Sequence, residues 1–289
     1  MILEAPSILG LRPSGVERLP EALLAAGLAD RLGADHAGRV EPPAYDPRRD
    51  PETRMLNPRA IAAYSVALGD AVGEVLDRGR FPVVLGGDCS ILLGNLLALR
   101  RRGRYGLLFL DGHTDFYQPE AEPNGEAASM DLALATGRGP AVVTDLEGRR
   151  PLLRDDDAAA FGFRDADEAA EHGSRPLPRE LRGVSLAEVR RLGIEPAVRG
   201  AVAHLTRGGG AGGFWIHLDA DVLDDAVMPA VDYRIPGGLG WGEVEAALRA
   251  AIGSGRAVGL TVTVFNPSLD PDASIARALA ETLGRGLTA

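Results

Sequence analysis

Two motifs in this 289-residue chain place carboxylates at alternate positions directly after apolar runs. Each motif follows a five-residue apolar stretch, at residues 106–110 and 214–218. In an extended chain, alternate side chains point to the same face. So many converging carboxylates would repel one another unless they were protonated or neutralised by cations. The motifs therefore predict a metal centre whose candidate ligands are Asp111, His113, Asp115, Asp219 and Asp221.

A simpler interpretation of the same aspartates is that they cap helices and shape turns, as single Asp residues often do. Four of them at a spacing of two residues after two apolar runs favour metal ligation instead. Cys89, which follows Gly86-Gly87-Asp88, is a further candidate ligand. The alternatives here are that Cys89 is a small buried hydrophobic residue and that His217, two residues before Asp219, has a packing role.

The elements around the motifs alternate between apolar strands and helices. A strand at 80–85 leads to the Cys89 turn, a helix is predicted over 90–102, and the strand at 106–110 follows. This rhythm predicts parallel strands that are buried on both faces, with ligand sites at their carboxyl ends. The glycine-rich segment 208–213 lacks the spacing and lysine of a phosphate-binding loop and is interpreted as a connector. We predict one domain spanning residues 1–289.

Composition excludes several partners. The chain has 31 basic and 41 acidic residues, a net charge of −10, so a nucleic-acid partner is not expected. No apolar run reaches the roughly 20 residues needed to span a bilayer, and the N-terminus does not resemble a signal peptide. A single cysteine fits a reducing compartment, and we expect a cytoplasmic protein.

The order of these motifs resembles the arginase/agmatinase/formimidoylglutamase family of ureohydrolases. The likeness is carried by Gly86 to Ser90, Asp111 to Asp115, Phe163 to Asp167, Asp219 to Asp224 and Asn266-Pro267. It implies a three-layer α/β/α arginase-like fold around a mostly parallel sheet. It also implies two manganese ions bridged by a hydroxide that attacks the amidine or guanidine carbon.

The resemblance assigns roles to the candidate ligands. Asp111 and Asp219 match carboxylates that bridge both metals, and Asp115 matches a further ligand of the first metal. His113 and Asp221 match ligands of the second metal. Asp115 and His113 are the candidate catalytic residues, with Asp115 able to pass a proton to the leaving amine. Oxygen ligands suit manganese, and a pair of cations acidifies a bridging water.

Cys89 departs from the family, because most members have a histidine ligand at this position. A thiolate is softer than imidazole and shifts metal preference towards zinc, iron or cobalt. Cysteine here resembles the branch that hydrolyses N-hydroxyarginine.

Two further departures concern the substrate. Ala128 stands where arginases have a proton-shuttling histidine, and Val264 stands where arginases and agmatinases have a glutamate that pairs with the guanidinium. Glu243 or Glu126 is a candidate for the missing counter-charge. The candidate substrate contacts are Asp167, Glu243 and Tyr117.

The leading hypothesis is a dinuclear metal-dependent hydrolase of C–N bonds in a linear amidine or guanidine, with a small-molecule substrate other than arginine. The alternative is a metal-binding family member with weak catalysis and a binding or regulatory role. A zinc deacetylase of related fold is disfavoured, because deacetylases need an adjacent histidine pair that this chain lacks. The family resemblance suggests homotrimers or homohexamers.

Overall fold

The computed structural model describes residues 1–207 and 211–288. Part of the predicted glycine connector, residues 208–210, therefore lies outside the described residues. None of the described helices combines the length and apolar character required to cross a membrane.

One eight-stranded sheet runs through the described chain, and every neighbouring pair of its strands is parallel. The prediction of a parallel α/β sheet is confirmed. The strands are β1 (Ile2–Glu4), β2 (His36–Arg39), β3 (Val83–Leu85), β4 (Gly106–Leu110), β5 (Ala158–Phe161), β6 (Arg182–Val184), β7 (Phe214–Asp219) and β8 (Ala257–Thr263). Their order across the sheet is β2-β1-β3-β8-β7-β4-β5-β6, which places the partly exposed strands β2 and β6 at its two edges.

Helices cover both faces of the sheet, which gives the predicted three layers. Strand β4 shows why: Leu108 and Leu110 belong to the core on one face, and Leu107 and Phe109 to the core on the other. The first face is covered by α1 (Leu19–Ala25), α2 (Leu28–Leu32), α8 (Leu186–Leu192), α9 (Ile194–Leu205), α10 (Trp241–Ile252) and α11 (Ser274–Leu287). The second is covered by α3 (Pro58–Asp77), α4 (Leu92–Arg100), α5 (Asp131–Ala135), α6 (Ala141–Thr144) and α7 (Ala166–Glu171).

The strand order brings the sequence motifs to one edge of the sheet. Strands β3, β8, β7, β4 and β5 are consecutive neighbours, and the loops that carry Cys89, Val264, Asp219, Asp111 and Asp165 follow their carboxyl ends in that order. In β4 and β7, Leu110 pairs with Leu218, so Asp111 and Asp219 come next at the same level. Carboxyl ends of parallel strands are where α/β proteins bind ligands.

Candidate metal centre and substrate cleft

The turn after β3 fixes the position of Cys89. Gly87 packs closely against the segment that follows β1. A Cβ atom on Gly87 would lie 1.8 Å from the carbonyl oxygen of Ser7. The Asp88 carboxylate accepts hydrogen bonds from the Ser7 hydroxyl (2.6 Å) and the Ser90 N–H (2.8 Å). These contacts hold Cys89, which is fully buried, under the cleft at the sheet edge.

The loop after β4 does not continue the extended geometry that the alternating pattern predicted. The strand ends at Leu110, and Asp115 has a φ of 43°, in the left-handed region. The expectation that Asp111, His113 and Asp115 share one face of a strand is therefore wrong. A turn, stabilised in part by the His113 N–H that donates to Asp111 Oδ1 at 2.6 Å, brings the three side chains together instead.

All six predicted metal ligands lie together in overlapping groups. Within each group, one potential ligand atom per residue lies within 4.8 Å of every other. Cys89 Sγ is 2.8 Å from Asp219 Oδ2, and His113 Nδ1 is 2.9 Å from Asp221 Oδ2. The groups are Cys89–Asp111–His217–Asp219, Cys89–Asp115–Asp131 and Asp111–His113–Asp221.

The electrostatics of this cluster favour cations. Burial, reinforced by neighbouring carboxylates, raises the pKa values of Cys89, Asp115 and Asp219 well above their ordinary values. Burial and the charge of Asp221 raise the pKa of Asp111 to about 7. The protein groups alone therefore do not stabilise these side chains in their ionised forms. Bound cations would do so, because they neutralise the negative charges.

His113 and Asp221 form an ion pair within this cluster. Burial, the largest single influence, would lower the pKa of His113, but the charges and hydrogen bonds of Asp221 and Asp111 together outweigh it and raise that pKa well above its usual value. Burial would likewise raise the pKa of Asp221, yet the charge and hydrogen bond of His113 lower it. An imidazolium cannot bind a metal ion, so His113 would lose this proton when it acts as a ligand.

Two residues near the centre escaped the sequence reasoning. Asp131, at the start of α5, is fully buried and lies with Cys89 and Asp115. No motif spacing distinguishes it from the other aspartates of the chain. Arg164, after β5, donates to the carbonyl oxygens of Asp221 (2.9 Å) and Ile235 (2.7 Å) and so braces the second carboxylate loop.

His217 occupies a packed position on β7. Its ring stacks on Phe109 with centroids 4.8 Å apart, and its Nε2 is 3.4 Å from the Thr263 hydroxyl. Complete burial lowers its pKa to about 3, so the ring is neutral. These contacts agree with the packing role considered from the sequence, although His217 also lies within reach of Cys89, Asp111 and Asp219.

A cleft opens above the cluster. Cys89, His113, Asp115, Asp219 and Asp221 line its floor, together with Ala128 and Val264 at the two positions where the sequence departs from the family. The upper walls include Tyr117, Glu122, Asn124, Glu168, His172 and Tyr233.

Among the predicted substrate contacts, Tyr117 lines this cleft, whereas Asp167 and Glu243 do not. Asp167 is exposed on α7, and its neighbour Glu168 lines the cleft in its place. The Glu243 carboxylate accepts the Gly240 N–H at 2.9 Å at the start of α10 and pairs with Arg190. Asp167 and Glu243 thus lie outside the residues that line the cleft, and a substrate contact by either one stays a prediction.

Glu126 does not provide the missing counter-charge either. It is buried and accepts hydrogen bonds from the Arg12 N–H (3.0 Å) and the Tyr233 hydroxyl. Its carboxylate therefore holds together loops that border the cleft.

Comparison with known proteins agrees with this geometry. A family model described as "Arginase family" matches residues 10–288. The chain belongs to the arginase family. It is 30% identical to an arginase of Bacillus caldovelox over 98% of this chain and 96% of that protein. It is 27% identical to an arginase of Staphylococcus aureus strain COL over 98% and 95% of the two chains.

Structural comparison extends the likeness to the whole fold. The crystal structure of the Bacillus caldovelox arginase superposes with a TM-score of 0.88 at 27% identity, over 100% of this chain and 97% of that one. The arginase-like fold and the hydrolase class predicted from the motifs are thus confirmed.

Proposed function

We propose that this arginase-family protein is a dinuclear metal-dependent hydrolase that cleaves a C–N bond of a linear amidine or guanidine other than arginine. The observation that carries the proposal is the convergence of Cys89, His113 and four aspartates, all of which except Asp111 line one cleft. Asp111 would belong to both metal positions, because it lies in the Cys89 group and in the His113 group.

The residues present fit a pair of divalent cations. The donor set combines carboxylate, imidazole and thiolate, and Asp111 Oδ2 is a buried oxygen without a hydrogen-bond partner among the described residues. Carboxylate and imidazole donors suit Mn²⁺, while Cys89 would increase the affinity for softer ions such as Zn²⁺, Fe²⁺ or Co²⁺. When bound, the cations would acidify water and so supply a nucleophile near neutral pH.

Protein side chains would handle the proton and the substrate. Hydrolysis adds water to the amidine carbon and breaks the bond to the leaving nitrogen, which then needs a proton. Asp115 would carry that proton, a role supported by its membership of the cluster and its position at the cleft. Tyr117, whose pKa burial raises to about 12, stays neutral and can donate a hydrogen bond to the substrate.

The walls of the cleft favour a substrate with a positively charged tail. Glu122 and Glu168 line the outer wall, and the described residues lining the cleft include no Arg or Lys. At the floor, Val264 offers no counter-charge to a guanidinium, and a buried cation without one is costly. An N-hydroxyguanidine, whose N-hydroxyl group withdraws electrons and lowers the basicity of the guanidine, is therefore the first substrate to try.

The test is a hydrolysis screen of the manganese-loaded protein against arginine, agmatine, guanidinobutyrate, formimidoylglutamate and N-hydroxyarginine. We expect one of these other than arginine to release urea, hydroxyurea or formamide, and to do so only when metal is present. Asp111→Asn, which replaces a shared ligand by an isosteric amide, should abolish the release. Silence across the panel with two metals bound would refute the enzyme proposal.

Such silence would favour the second candidate, a metal-binding protein with a binding or regulatory role. The observation behind that candidate is that Ala128 and Val264 both lie at the cleft floor without an acid–base group. A cytoplasmic location, a single-domain chain and assembly into trimers or hexamers remain predictions.

A further inference from the structure

Asp131 carries two buried oxygens that no protein group satisfies. The residue is fully buried, and neither Oδ1 nor Oδ2 has a hydrogen-bond partner among the described residues. Nearby Asp88 is equally buried, but its carboxylate accepts from Ser7 and Ser90. Burying a carboxylate without partners is costly, so the orphaned pair points to a ligand outside the protein.

The surroundings of Asp131 identify that ligand as a cation. One of its oxygens, Cys89 Sγ and an Asp115 oxygen all lie within 4.8 Å of one another. Metal–ligand bonds of about 2.0–2.3 Å allow two donors around one ion to be up to about 4.6 Å apart. Three donors at this spacing can therefore surround a single ion with little movement.

We propose that Asp131 is a ligand of the metal ion that Cys89 and Asp115 hold. The inference rests on the metal centre of the proposed function and is independent of the substrate. It adds a further hard oxygen donor to those that Asp111, Asp115 and Asp219 would supply beside the soft Cys89 sulfur. A carboxylate from α5 thus offsets the change in metal preference that the cysteine brings, and the site retains affinity for Mn²⁺.

Metal binding to purified protein tests the assignment without relying on activity. Wild type, Asp131→Asn and the matched control Asp157→Asn are stripped of metal and titrated with Mn²⁺ by calorimetry. Asp131→Asn should weaken one of two sites by about tenfold or more. Asp157→Asn makes the same chemical change at another buried carboxylate, which pairs with Arg104 just before β5, away from the cluster, and it should bind metal as wild type does.

Thermal unfolding separates a ligand from a merely structural group. Without metal, Asp131→Asn should unfold at or above the wild-type temperature, because it removes an unsatisfied carboxylate. With saturating Mn²⁺, its stabilisation by metal should be smaller than that of wild type. A structural role predicts the reverse: a less stable metal-free protein with the usual gain from metal.

Unchanged Mn²⁺ affinity in Asp131→Asn, or equal losses in Asp131→Asn and Asp157→Asn, would overturn the assignment. If Asp131→Asn does not fold, a crystal structure of manganese-loaded wild type decides. An Asp131 oxygen within about 2.5 Å of the ion supports ligation, and a longer distance overturns it. Failure of wild type to bind any cation would instead refute the proposed function.

Discussion

Glu122 gives the sharpest test of substrate recognition in the cleft. Its side chain is buried, with 5% exposure, and it lines the outer wall above the metal centre. The carboxylate accepts the Glu126 N–H at 2.7 Å, which fixes its position. A fixed, buried carboxylate at this place should bind the cationic tail of a substrate.

The expected loss follows from burial. A hydrogen bond to a charged group is worth about 1.5–3 kcal/mol, so Glu122→Gln should lower kcat/KM about 10- to 150-fold for an amine-tailed guanidine. Glu168 also lines the cleft, but it is exposed. An exposed ion pair is worth about 0.2–1 kcal/mol, so Glu168→Gln should cost at most about fivefold.

Two matched substrates provide the assay. Agmatine has an amine at the end of its chain, and pentylguanidine replaces that amine by a methyl group. Urea release should show a large Glu122→Gln effect with agmatine and little effect with pentylguanidine. Equal losses with both substrates, or no loss with agmatine, would refute the assignment of Glu122 to tail recognition.

The remaining predictions concern the pH dependence, the metal preference and the floor of the cleft. Burial raises the pKa of Glu122. The preference for agmatine over pentylguanidine should therefore be greatest well above that pKa, where Glu122 is ionised, and should disappear as the pH falls through it. A ratio of the two kcat/KM values that stays constant with pH would contradict this. Cys89→His should shift relative affinity from Zn²⁺ towards Mn²⁺, because imidazole is harder than thiolate, and competition titrations that give unchanged relative affinities would argue against Cys89 as a ligand. Val264→Glu places a carboxylate at the cleft floor and should raise kcat/KM for agmatine about tenfold or more; no gain in a properly folded, metal-loaded variant would show that Val264 does not face the guanidinium.

The central strands and the site position were predictable because burial leaves a strong signal in the sequence. Strands β4 and β7 are continuous apolar runs, as strands covered on both faces must be, and polar motifs begin where each run ends. The edge strands β2 and β6 were missed. They are short and partly exposed, with sequences His-Ala-Gly-Arg and Arg-Gly-Val that show no apolar run.

Details within the site depended on backbone turns that the motif spacing does not encode. Asp115 reaches the cluster through a left-handed residue rather than through strand alternation. Asp131 reaches it from α5, which is distant in sequence from Cys89. On α7 the order Asp167-Glu168 places the second acid, not the first, at the cleft, because consecutive helical residues point in different directions.

The most direct test of the account is a titration of hydrolytic activity against metal in the stripped protein. With the substrate identified by the screen, product release should be absent without metal and should rise to a plateau at two equivalents of Mn²⁺ per chain. Release that persists in the metal-free protein, or that reaches its maximum at one equivalent, would contradict a dinuclear centre built on Asp111 and Asp219.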